Sequence, residues 1–179
     1  MEKVHLVLGE NNEISNVYKL FLRGPIIVDK EEFQIIGIED IGKRESRNTG
    51  NIWSKFQASA PKILNRDASH GLGISIETKV LLEKGEDRYI VSNEVSKVEN
   101  VPEGMISETI PTCKYATFTH IGKLNNIGET FQYIYGDWLV NNTRYERVPF
   151  APEFEWYDQR FNINSDDSEL DLYIPIQEK

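Results

Sequence analysis

Cysteine is almost missing from this sequence: Cys113 is the only one in 179 residues, which excludes an internal disulfide and a thiolate-rich metal site. Histidine is scarce too. His5, His70 and His120 lie far apart, and none stands at ligand spacing from a cysteine or a carboxylate cluster, so no metal is expected. No apolar run approaches the roughly 18 residues of a membrane span. Stretches such as LVLG and GPIIV are cut short by polar or charged neighbours, and no membrane association is expected. The opening MEKVHLVLGENNE has neither the basic start nor the long apolar centre of a secretory signal, so the expected location is the cytoplasm. Basic residues are in deficit, 20 against 29 acidic, for a net charge of -9. That balance repels a phosphate backbone, so direct nucleic-acid binding is not expected. It also gathers cations, although charge alone identifies no ligand. There is no phosphate-cradling glycine loop and no nucleophile elbow, and Cys113 has no histidine nearby in sequence. Phosphoryl transfer, serine hydrolysis and a cofactor are therefore not expected.

What is present is enough apolar material, 39% of residues, to build one core without covalent staples. Two segments carry apolar residues at helical spacing. In 126–140, Ile127, Phe131, Ile134 and Trp138 fall on one face; Asn126 is placed to cap, Glu129 to complete a capping box, and Asn141–Asn142 to stop it. In 51–60, Ile52, Trp53 and Phe56 share a side and Pro61 closes the helix. Strands are expected at 33–38, 71–77, 88–95, 115–120, 153–161 and 170–176, with turns at 83–87 and 164–168.

Taken in chain order, these elements repeat. Segments 25–100 and 101–177 each read β-α-β-β, which predicts an α+β fold of two pseudo-twofold modules sharing an antiparallel sheet, with two main helices packed on it. The alternative is that the likeness of the halves is accidental. Residues 1–24 fit no repeat and read as an N-terminal extension, too short for a helix-turn-helix module.

The second half also carries a family likeness. KYATFTHIGK, NIGETFQYIYGDWL, PEFEWYDQRF and ELDLYIPI, in that order, closely resemble the gyrase-inhibitor-like effector-binding domain, which occurs alone and behind AraC-type or MerR-type DNA-binding regions. FQIIGIEDIG, NIWSKF, ILNR, GLGISIE and RYIVSNEV resemble its front end, so the likeness covers about 25–177. The most distinctive set is Tyr115–Ala116, His120 with Gly122, Trp138–Leu139, and Glu155 with Tyr157. The resemblance implies a pocket for amphipathic, often cationic, organic ligands in a stand-alone domain without a DNA-binding region of its own.

Strand alternation in PEFEWYDQRF puts Glu155, Tyr157 and Gln159 on one face and Phe154, Trp156 and Asp158 on the other. From its pattern alone Glu155 reads either as a pocket carboxylate or as a solvated strand residue, and the resemblance implies the first, since the family's pocket glutamate falls on it. A carboxylate among aromatics is costly to desolvate unless a cation or hydrogen-bond donor meets it. Tyr157 could bond Glu155 or a ligand, or be a core tyrosine. Trp53 and Trp138 hold similar places on the two helices, with Tyr135 and Phe131 one turn from Trp138, and large rings attract cations and flat ligands; simple core packing is the other reading. Tyr89 and Tyr173 hold matching strand positions and could offer hydroxyls or finish a sheet face.

Three functions follow as expectations. The first is a binding protein for amphipathic, cationic or aromatic small molecules, acting in sensing or sequestration. The second is a hydrolase of strained, electrophilic toxins, as in some members of the resembled family, with Glu155 and Tyr157 as the working pair. The third is a protein-interaction role, with gyrase or a separate DNA-binding regulator as partner.

Overall fold

The computed structural model describes residues 22–179. His5 lies outside them, as does the expected extension apart from Leu22, Arg23 and Gly24, which open the first strand. The strands are β1 (Leu22–Lys30), β2 (Phe33–Gly42), β3 (Gly71–Ile76), β4 (Asp87–Val95), β5 (Ile106–Ile110), β6 (Cys113–Ile121), β7 (Tyr145–Arg147), β8 (Glu153–Tyr157) and β9 (Glu169–Glu178). The α-helices are α1 (Thr49–Ser59), α2 (Lys79–Glu83), α3 (Ile127–Tyr133) and α4 (Leu139–Asn141). The class is α+β, and the paired strands run antiparallel. None of the described helices is long and apolar enough to cross a membrane. The chain divides into two compact units, one built of β1 with Cys113–Val148 and Tyr157–Lys179, the other of Glu31–Thr112 with Pro149–Trp156.

In the first unit β6 lies between β1 and β9, and β7 adds to β9. Strict alternation makes its core face: Ala116, Phe118 and His120 of β6 stand opposite Ile174, Leu172 and Leu170 of β9. Onto that face pack Tyr133, Ile134 and Trp138. The helix that carries them is not the uniform one expected over 126–140. After α3, Ile134–Trp138 widens into a π-turn closed by the Leu139 N–H on the Ile134 carbonyl, and α4 completes the run. A turn widened in this way aligns residues four apart, which brings both Ile134 and Trp138 into the core.

The expected cap is also corrected. Asn126 already has helical backbone angles, as the last residue of a 3-10 turn over Leu124–Asn126, and its side chain makes no capping bond, so no capping box forms with Glu129. The stop is where the sequence puts it. The Asn142 carboxamide oxygen accepts from the Arg144 and Tyr145 N–H groups, at 3.0 and 2.7 Å, and turns the chain into β7.

His120 is 0% exposed and ties β6 to α3. Its Nε2 stands 3.2 Å from the Lys123 carbonyl, which can only accept, so Nε2 carries the proton and Nδ1 accepts from the Thr130 hydroxyl at 2.8 Å. Burial pushes its pKa below the ordinary 6.5, more than the Lys123 carbonyl and Glu129 raise it. Because the folded state holds the neutral ring, this stability is complete above 6.5 and is lost as the pH falls toward and through the lower folded value. The urea midpoint is therefore expected to drop between about pH 7.5 and about pH 5.5 by more in the wild type than in His120→Gln. Equal drops would show that other groups carry the acid sensitivity.

In the second unit the strand order is β8-β3-β4-β2-β5. Tyr89, Val91 and Val95 of β4 and Ile36 of β2 face α1, where they meet Ile52 and Phe56. The alternate positions Ile35, Leu72, Ile74 and Ile90 are buried as well, which is why the Tyr89–Val91 stretch of β4 is apolar on both faces. α1 starts two residues earlier than expected because the Asn48 side chain accepts the Asn51 N–H at 3.0 Å. Pro61 falls in the 3-10 turn that follows.

Three strands and one helix were not expected. β1 contains Gly24 and Pro25, β5 has five residues and β7 three, and α2 buries none of its side chains, so each lacks a clean period. α2 is set by Thr78, whose hydroxyl accepts the Leu81 N–H at 3.2 Å, and it leads into the turn expected at 83–87, which is present at Lys84 and Gly85. The strand expected at 153–161 stops at Tyr157. There the Asp158 carboxylate accepts the Arg160 N–H at 2.9 Å and grips the Arg160 guanidinium, so the backbone turns. Gln159 is left exposed in that turn and no longer shares a strand face with Glu155. The turn expected at 164–168 is present.

Candidate functional site

Three of the expected site residues meet in the second unit. Trp53 comes from α1, Tyr89 from β4 and Glu155 from β8. The indole Nε1–H of Trp53 donates to the Tyr89 hydroxyl at 3.3 Å, and that hydroxyl donates to Glu155 Oε2 at 3.2 Å. The order of donors runs one way, from an N–H that can only give to a carboxylate that can only accept, with the phenol serving both. Burial, with Tyr89 6% exposed, pushes the phenol pKa up. The neighbouring Glu155 charge pushes it further, against the opposing pull of the Trp53 bond and of Arg47. Tyr89 therefore stays a neutral donor over the whole physiological range.

The floor of this site is backbone. β3 presents Gly71 and Gly73, two residues apart and so on one face. A Cβ on Gly73 would lie 2.4 Å from the Tyr89 Oη and 2.8 Å from Glu155 Oε2, and one on Gly71 would lie 3.0 Å from the Trp53 ring. Only glycine lets the indole, the phenol and the carboxylate settle this close to the sheet. Neither glycine was singled out from the sequence, although the G-L-G spacing on an expected strand was a readable signal of close approach.

Beside the triad stands a residue that no pattern in the sequence singles out. The Arg47 guanidinium lies over the Tyr89 ring, Cζ to centroid 5.5 Å, with its side chain 3% exposed. It binds Asp40 Oδ2 at 2.8 Å, pairs with Asp87 Oδ1 at 2.6 Å, and donates to the Gly42 and Asp87 carbonyls at 3.1 Å each. Next to Glu155 in sequence, Phe154 packs edge-on to Phe33 and Trp156 stacks on His70 at 3.6 Å, which fixes β8 on both sides of the carboxylate.

The other candidates lie in the first unit. Tyr157 sets its ring edge-on to Phe161 at 4.8 Å and packs on the core there. Phe131 and Tyr135 stack at 6.3 Å, with Arg147 over Tyr135 at 5.9 Å. Trp138 packs edge-on to Phe118 at 5.1 Å. Tyr173 meets Tyr115 edge-on at 5.9 Å. Among the described residues no three His, Cys, Asp or Glu side chains are grouped to hold a metal ion.

Known proteins resemble this chain in sequence and in fold. The transcriptional regulator BrlR of Pseudomonas aeruginosa is 35% identical over 152 residues, covering 84% of this chain and 54% of BrlR, so the chain spans about half the length of that relative. SAV2435 bound to tetraphenylphosphonium superposes with a TM-score of 0.70 at 13% identity, over 87% of this chain and 94% of SAV2435. An integron cassette protein of Vibrio cholerae gives 0.62 at 18% identity, over 88% of this chain and 98% of the other. At those identities the two structures speak for the fold alone. Residues 26–176 match the family model of the integron-associated effector binding protein, and with that match spanning most of its length this chain belongs to that family.

Proposed function

We propose that the protein captures amphipathic, cationic aromatic compounds, with Glu155 selecting positive charge and Trp53 and Tyr89 supplying ring faces, and that capture serves sensing or sequestration. The observation that carries this reading is the carboxylate fixed by Tyr89 beside an indole, above a floor free of side chains. A carboxylate placed among rings loses water when a ligand enters, and a cation restores the lost interaction where an anion adds repulsion. Ring faces add attraction for the same charge. SAV2435 shares this fold and is bound to tetraphenylphosphonium, a cation wrapped in phenyl rings. BrlR is a transcriptional regulator, which favours sensing, with the output passed to a DNA-reading partner.

The test uses two probes of equal shape and opposite charge, tetraphenylphosphonium and tetraphenylborate. A ligand present at about a hundred times its Kd stabilises the native state by about 2.7 kcal/mol, a readable rise in melting temperature. The cation is expected to stabilise the wild type and the borate not to. In Glu155→Gln the affinity for the cation is expected to fall roughly tenfold or more, since a charged contact becomes a neutral one. Equal stabilisation by both probes, or an unchanged affinity in Glu155→Gln, would overturn the reading.

A further inference from the structure

Arg47 is a buried guanidinium that the cation-binding reading leaves without a task. It stands in the short link between β2 and α1, one residue before the Asn48 cap, and its donors are spent on the end of β2 (Asp40, Gly42) and the start of β4 (Asp87). One flat side of the fork covers the Tyr89 ring. It therefore joins the start of the helix that carries Trp53 to the strand that carries Tyr89, and it limits the ring whose hydroxyl reaches Glu155. Its charge is answered on the spot. Asp40 and Asp87 pair with it, while Arg44, on Asp87 Oδ2 at 2.8 Å and Glu77 at 3.8 Å, completes a cluster of alternating sign.

We propose that Arg47 is a positioning residue for cation recognition: it holds the Tyr89 hydroxyl and the Trp53 indole in line with Glu155 while its own charge is cancelled by Asp40 and Asp87. This rests on the proposed binding of cationic aromatics at Glu155. It has a consequence of unusual sign. Taken only as a charge, a guanidinium near the site repels a cationic ligand, and deleting it would leave Asp40 unpaired and Asp87 with Arg44 alone, and so tighten cation binding. As a positioning group, deleting it loosens Tyr89 and Trp53 and weakens cation binding.

The experiment is calorimetric titration of the full chain with tetraphenylphosphonium and tetraphenylborate, for the wild type, Arg47→Met, Arg47→Lys, Tyr89→Phe and Tyr89→Phe/Arg47→Lys. Arg47→Lys keeps the charge and loses the planar fork, so it serves even where Arg47→Met, which strips Asp40 of its ion pair and leaves the buried Asp87 with Arg44 alone, does not fold. The expected result is a roughly tenfold loss of phosphonium affinity in each Arg47 variant that folds. In the Tyr89→Phe background, Arg47→Lys is expected to add less than about a twofold further loss, because residues acting through one contact do not add. Unchanged or tighter phosphonium binding in Arg47→Lys overturns the proposal, as does a full additional loss in the double variant. Failure of the wild type to prefer phosphonium over borate overturns instead the binding reading on which it rests.

Discussion

Phe118→Ala is expected to cost about 3–5 kcal/mol of folding free energy, the largest single-site loss in the first unit. Phe118 sits mid-strand on β6, is 0% exposed, and stands opposite Leu172 of β9. Its ring meets Trp138 edge-on at 5.1 Å and 81°, and Tyr133 at 6.4 Å and 80°. Such pairs add about 0.5–1.5 kcal/mol each beyond the area they bury. Truncation removes both edge contacts and leaves a cavity between sheet and helix that the strand pair cannot close. For a chain of this length the melting temperature should fall by roughly 6–20 °C. Denaturant unfolding checks the figure. A loss below about 1 kcal/mol would mean that the helix collapses onto the sheet, and that the sheet–helix core is softer than its close ring geometry indicates.

Gly73→Val should do the opposite: leave the fold in place and abolish phosphonium binding. Its Cβ would fall 2.4 Å from the Tyr89 hydroxyl and 3.1 Å from Cζ, positions that a rigid ring covered by Arg47 does not vacate easily, and 2.8 Å from Glu155 Oε2. The carboxylate, the end of a flexible side chain, is the group that moves, and the Tyr89–Glu155 bond breaks. Crowding costs about 1–3 kcal/mol. Valine's preference for strands offsets up to about 1 kcal/mol of that. Binding should fall by at least about a hundredfold, because charge selection and ring geometry are lost together. Gly42→Ala is the control, since a Cβ there meets only Asp40 Oδ2 at 4.0 Å. Retained binding in Gly73→Val would show that the hydrogen-bonded triad is not where the ligand sits.

Glu155, Trp53 and Tyr89 were legible in the sequence as types in pattern: an acid on an aromatic strand, an indole on a helix face, a tyrosine on an expected strand. Their partners were not. Glu155 was considered with Tyr157, two residues along the same expected face, yet Tyr89, 66 residues away, donates to it. Sequence spacing orders side chains along one strand and says nothing of which strand lies alongside. The same limit hid Arg47, which stands in the polar stretch KRESRN, where no hydrophobic period marks any position. Local rules failed where a side chain overrode a period. Asp158 turned the chain before the expected strand was complete, and the 3-10 turn ending at Asn126 removed a cap.

The sequence by itself determined the α+β class, six of the nine described strands, the two amphipathic helices and the family, because each depends on periodicity and short-range order that survive without coordinates. Only the tertiary structure decided that a bare glycine floor and a tyrosine distant in sequence converge on one carboxylate, with a buried arginine over the tyrosine ring. Those contacts arise from strand register and helix placement, which satisfy the packing of the whole unit and leave no mark at any one position.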